Sequence, residues 1–159
     1  MTADVHNYQL YTLDKNHKMV LDVFNRGRFS FMPHLVLKDD FNGHQWRIVK
    51  GSSAAHFKLS TMVLGIEMWL DVIEEGIFKG LLIVQPKDKF SNRDWIVEEN
   101  IRLKGQFKIS TVVGRESKFV DIYQGGDFNN MPYLTNESNY SGRFWTVEKT
   151  NEELLESSF

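Results

Sequence analysis

The side chains best placed for chemistry are three acids in matching surroundings. Asp22, Asp71 and Asp121 stand in Leu21-Asp22-Val23, Leu70-Asp71-Val72 and Val120-Asp121-Ile122. A carboxylate accepts hydrogen bonds from two neighbouring hydroxyls, and bonds with one charged partner are worth roughly 1.5–3 kcal/mol. Strand alternation turns each carboxylate away from its two apolar neighbours, which points it outward. Five residues on come Gly27, Gly76 and Gly126, which can take φ > 0 and let a ligand approach the backbone. A carboxylate, a turn backbone and nearby planar side chains make a shallow pocket for a sugar. The same carboxylates have a second reading, hydrogen bonding to turn amides that fixes the hairpin after the strand.

Other chemistries find no support. The five histidines (6, 17, 34, 44, 56) share no spacing with one another, and H-E-x-x-H is absent, which argues against a zinc enzyme. With no Cys there is no thiolate metal site, disulfide framework or cysteine nucleophile. G-x-S-x-G, G-x-x-x-x-G-K and G-x-G-x-x-G are also missing. The expectation is a protein without enzymatic activity, cofactor or metal. A formal net charge of −2 gives no excess of cations to neutralise phosphates, so nucleic-acid binding is disfavoured. The first residues carry no secretory signal pattern, apolar runs such as 80–84 are too short to span a bilayer, and zero Cys favours a reducing compartment. The expected location is cytoplasmic.

The elements that must position the acids repeat. Trp46, Trp95 and Trp145 are 49 and 50 residues apart, and the same offsets align Thr12/Thr61/Thr111, Asp22/Asp71/Asp121, Gly27/Gly76/Gly126 and Phe29/Phe78/Phe128. The repeats run over 8–50, 57–99 and 107–149, inside one domain of 1–159 with a tail at 150–159. Phe57-Lys58-Leu59-Ser60-Thr61 and Phe107-Lys108-Ile109-Ser110-Thr111 alternate apolar and polar residues, as strands do. Turn residues separate about four such short runs per repeat. One unit cannot bury its apolar face alone, so three must close on each other. The fold expected is all-β: a β-trefoil of three pseudo-threefold repeats, with the repeated Phe and Trp in shared core layers. In the tail, Leu154, Leu155 and Phe159 either pack on the barrel, fray, or offer a homodimer contact.

Leu21-Asp22-Val23, Gly27-Arg28-Phe29 and His44-Gln45-Trp46, with their counterparts ending in Arg93-Asp94-Trp95 and Arg143-Phe144-Trp145, resemble the ricin B-chain-like (R-type) carbohydrate-binding family over about residues 8–149. The resemblance implies a β-trefoil lectin whose partners are glycans or glycoproteins. In that family the strand aspartate accepts from adjacent hydroxyls, often of galactose or N-acetylgalactosamine. An aromatic ring stacks on the sugar, and an Asn ahead of a Gln-x-Trp signature adds a bond. By position the Asn falls on Gly43, Asn92 and Gly142, the stacking ring on Val36, Gln85 and Thr135, and the Gln on His44, Arg93 and Arg143. Substitute rings lie two residues earlier, at His34 and Tyr133, where repeat 2 has Ile83. Repeat 3 leads as a sugar site, with Asp121, Gly126, Tyr133 and Asn136. Repeat 1 follows with Asp22, Gly27, His34 and Asn42, then repeat 2 with Asp71, Gly76 and Asn92. On this reading Asp121→Ala or Asp22→Ala abolishes glycan binding and leaves the fold intact.

Two other functions compete. A β-trefoil protease inhibitor inserts one exposed loop into a protease cleft, with candidate loops around Pro33, Pro86 and Pro132. An interaction module of the cytokine kind lacks support from an export signal or a basic patch. Fold alone does not separate these.

Overall fold

The computed structural model describes residues 7–38 and 44–150. Each repeat forms four strands. The first supplies β1 (Asn7–Asp14), β2 (His17–Val23), β3 (Pro33–Leu37) and β4 (Trp46–Lys50). The second supplies β5 (His56–Val63), β6 (Ile66–Val72), β7 (Leu82–Pro86) and β8 (Trp95–Glu99). The third supplies β9 (Gln106–Val113), β10 (Glu116–Ile122), β11 (Pro132–Thr135) and β12 (Trp145–Lys149), with a 3-10 turn at Glu137–Asn139. The expected all-β class holds.

Six strands close on themselves. β1 pairs with β4, β4 with β5, β5 with β8, β8 with β9, β9 with β12, and β12 returns to β1, all antiparallel. Closure removes the open edges that a flat sheet would expose. The remaining strands extend from the barrel as β2–β3, β6–β7 and β10–β11. Equivalent backbone bonds link these hairpins around one axis: Leu35 N donates to Asn130 O (2.7 Å), Val84 N to Phe31 O (2.8 Å) and Leu134 N to Gly80 O (2.8 Å).

The identical Trp, Thr and Phe columns have internal tasks. The three repeated tryptophans are buried, and their Nε1 atoms donate to Leu21 O (3.2 Å), Leu70 O (3.0 Å) and Val120 O (3.5 Å). Each therefore grips the carbonyl just ahead of the repeated aspartate. Thr12, Thr61 and Thr111 donate from Oγ1 to Phe144 O, Gln45 O and Asp94 O at 2.7–2.9 Å, which ties each repeat to the one before it. Phe29, Phe78 and Phe128 meet edge to face with centroids 5.7–5.8 Å apart, packed against the buried Met32, Leu81 and Met131. Edge-to-face is the arrangement the ring quadrupoles prefer. The Trp and Phe columns thus lie in two clusters, one inside the barrel and one in the cap.

A polar cluster specific to the second repeat gives a pH prediction. Asp94 accepts from Lys58 Nζ and from Ser52 Oγ. Burial pushes its carboxyl up, but the Lys58 and Ser52 donors together outweigh that and hold it at about 2, below its usual 3.8. A depressed folded-state value contributes stability above the unfolded value that is lost as pH falls through the folded one. Urea midpoints should therefore fall between pH about 4 and about 2, and Asp94→Asn should flatten that limb. Identical acid limbs in the two proteins would remove Asp94 as the cause.

Candidate functional site

The three aspartates are internal, which corrects the expected outward orientation. Asp22, Asp71 and Asp121 are 0%, 2% and 3% exposed. Strand alternation assumes one covered face and one wet face. Here the last residues of β2, β6 and β10 are buried on both, because His44, Ser91 with Arg93, and Ser141 with Arg143 cover the outer face.

The donors are supplied within the chain. Asp71 accepts from Val72 N (2.9 Å), Ser91 N (2.8 Å), Ser91 Oγ (2.8 Å) and Arg93 Nε (3.1 Å). Asp121 repeats the set with Ile122 N (3.0 Å), Ser141 N and Oγ (both 2.8 Å) and Arg143 Nε (3.4 Å). Asp22 accepts from Val23 N (3.0 Å) and bonds His44 Nδ1. The arginines carry the tie onward: Arg93 Nη1 donates to Thr111 Oγ1 (3.1 Å) and Val112 O (2.9 Å), and Arg143 Nη1 to Thr12 Oγ1 (3.1 Å) and Leu13 O (3.2 Å). Asp, Arg and Thr thus form a staple from the second repeat to the third and from the third to the first, with Arg93 and Arg143 as the middle links. Of the two sequence readings, hydrogen bonding within the fold accounts for these carboxylates. Asp121→Ala and Asp22→Ala then cannot be expected to leave the fold intact.

The other expected site residues divide. Gly27, Gly76 and Gly126 have φ of 90°, 85° and 75°, and their carbonyls each accept a turn N–H three residues on at 3.2 Å. They are exposed, and a turn of this conformation favours glycine, which carries no Cβ. His34 lies opposite Asp22 and stacks on Phe24, with centroids 3.6 Å apart. Tyr133 lies opposite Asp121 and stacks on Tyr123 at 3.9 Å. Burial lowers the His34 pKa against the raising effect of Asp22, and burial with the Asp121 charge raises that of Tyr133. The Tyr133 hydroxyl therefore keeps its proton at neutral pH. Asn92 takes φ 66° in the segment just ahead of β8, where its carbonyl accepts from Lys58 Nζ (3.2 Å). Asn136 caps the 3-10 turn, accepting from Asn139 N and Ser138 Oγ (both 3.0 Å). Asn42 and tail residues 151–159 lie outside the described residues.

What the repeated columns do not reveal is a set of clefts at the seams between repeats. In each, the loop that follows β2, β6 or β10 faces the hairpin tip of the next repeat. The first seam holds Phe24, Asn25, Arg26 and His34 against Leu64, around about 590 Å³. The second holds Ile73, Glu74 and Lys79 against Gly114 and Lys118, around about 530 Å³. The third holds Gln124, Asn129 and Asn130 against Asp14 and Lys15, around about 410 Å³. These are sizes at which small ligands bind. The signal for them lay in aligned turn columns that differ, such as Asn25/Glu74/Gln124 and Ser30/Lys79/Asn129. Among the described residues no cluster of three metal-binding side chains occurs, and no helix is long and apolar enough to cross a membrane.

Known proteins share the fold and little sequence. No family profile and no curated protein matches the chain. A mosquitocidal holotoxin matches with a TM-score of 0.68 at 19% identity, over 94% of this chain and 18% of the toxin. The chain thus spans under a fifth of that protein. A proteinase inhibitor from Coprinopsis cinerea matches with a TM-score of 0.62 at 10% identity, over 94% of this chain and 100% of the inhibitor. A Culex salivary protein of the cysteine- and tryptophan-rich family matches with a TM-score of 0.57 at 16% identity, over 94% of this chain and 99% of its own. At these identities the likeness concerns the β-rich fold alone.

Proposed function

We propose that the chain is a non-catalytic glycan-binding module, a β-trefoil distantly related to the ricin B-chain-like lectins. The observation that carries this reading is the pair of stacked rings at equivalent places in repeats 1 and 3, Phe24 with His34 and Tyr123 with Tyr133. The first pair borders the first seam cleft, and Tyr123 directly precedes Gln124 of the third. Planar rings beside fixed hydrogen-bonding groups suit the mixed apolar and hydroxylated faces of a sugar. The galactose preference implied by the resemblance depends on carboxylates that are internal here, so the reading keeps glycans as the ligand class and moves the contacts to the loop rims.

A glycan array probed with the full chain tests it. Discrete signals are expected from the wild type. The Tyr123→Ala/Tyr133→Ala variant should lose about five- to tenfold, the scale of one or two lost aromatic contacts. A blank array from correctly folded protein ends the reading.

The inhibitor reading survives on a different loop from those expected. Pro33 and Pro132 are buried at the starts of β3 and β11, and Pro86 closes β7. Between β8 and β9, however, Ile101 is 99% exposed beside Arg102, and Arg102 N donates to Asn100 Oδ1 (3.0 Å). Inhibition of a trypsin-like protease that disappears in Arg102→Ala would place this reading first.

A further inference from the structure

Three seams related by the repeat offer a comparison within one molecule. The first is walled by Phe24, Arg26 and Leu64. The second mixes the charges of Glu74, Lys79 and Lys118 with apolar walls. The third has polar walls over an apolar floor, the buried Met19.

Its polar groups are held in place. The Gly125 N–H donates to Asn129 Oδ1 (2.6 Å), which commits that oxygen and leaves the Asn129 Nδ2 hydrogens as donors. Gln124 Nε2 donates to Asp14 Oδ1 (3.3 Å) across the seam, which leaves Gln124 Oε1 and Asp14 Oδ2 as acceptors. Lys15 and Asn16 close the tip opposite with φ of 50° and 67°. The Asp14 carboxylate and Lys15 ammonium balance in charge, so an acidic sugar gains one attraction and meets one repulsion. A neutral sugar meets an acceptor for a vicinal diol, donors for its other oxygens, and a thioether side chain beneath its C–H face.

We infer that the seam between the third and first repeats, built from Asp14, Lys15, Gln124 and Asn129 over Met19, is a pocket for one neutral hexose unit, and that each chain has one such pocket rather than three. This rests on the glycan-binding reading and deepens it. The aligned positions in the first seam, Val63, Leu64, Asn25 and Ser30, offer neither the carboxylate nor the ammonium.

The test is an amide NMR titration of the full chain with methyl glycosides of galactose, glucose and mannose, run beside the glycan array. Shifts are expected in residues 14–15 and 124–130, saturating at one glycoside per chain. Asp14→Asn and Asn129→Ala should each weaken binding about tenfold or more, with spectra otherwise unchanged. Asn25→Ala, at the first seam, should leave it unchanged. Shifts centred on Phe24 and His34, or spread over three seams, overturn the pocket and spare the glycan reading. So do array signals restricted to acidic glycans or unaffected by the third-seam variants. A blank array together with a silent titration overturns both.

Discussion

Asp71→Ala lowers the free energy of unfolding by about 3–5 kcal/mol, because removing one partner of a buried ion pair strands the other charge. The group left behind is Arg93, whose side chain is 10% exposed, whose Nε meets Asp71 at 3.1 Å, and whose remaining carboxylate partner is the half-exposed Glu74, 3.6 Å from Nη2. Ser91 N and Oγ lose their acceptor in the same step. Urea unfolding followed by tryptophan fluorescence measures the loss. Arg93→Met should recover part of it in the double variant, since an apolar side chain of similar length leaves no unpaired charge behind. Had the carboxylate been exposed, as strand alternation suggested, the change would stay within about 0.5 kcal/mol. The two outcomes are far enough apart for one melt to decide between a staple and a surface acceptor.

How far the chain could be read depends on which forces copy themselves into sequence. The repeat was legible because threefold packing demands the same side chain three times, as with Trp46, Trp95 and Trp145 in the core and Phe29, Phe78 and Phe128 at the axis. The strands followed from alternation in segments such as Phe57-Lys58-Leu59-Ser60-Thr61. The aspartates were misplaced because alternation describes a sheet with one wet face, whereas Ser91 and Arg93 arrive from 20 and 22 residues downstream to cover Asp71. His44, Arg93 and Arg143, which fall by position on the Gln of the resembling family, each reach their own repeat's aspartate with a ring or guanidinium nitrogen. The seam clefts were invisible for the converse reason. Their facing walls come from different repeats, and their side chains differ from seam to seam, so no column marks them.

The largest single loss in the core is expected at Trp95. Trp95→Ala should cost about 3–5 kcal/mol, the range for deleting a buried indole, since the residue is fully enclosed and sits on β8 opposite Phe57 of β5, where two strands of the closed ring meet. A milder exchange separates packing from hydrogen bonding. Trp95→Phe keeps a ring but removes Nε1, which leaves Leu70 O without its indole donor, a change worth about 1–3 kcal/mol for a buried acceptor. The corresponding bond from Trp145 to Val120 O is 3.5 Å long against 3.0 Å for Trp95. Hydrogen bonds weaken as they lengthen beyond about 3.2 Å, so Trp145→Phe should cost less than Trp95→Phe although both rings are buried. Equal losses in thermal or urea unfolding would mean that ring volume alone matters and that the carbonyl ahead of each aspartate needs no grip. An ordering of Trp95→Ala, then Trp95→Phe, then Trp145→Phe would show the indole nitrogens helping to hold the strand ends against which the staples close.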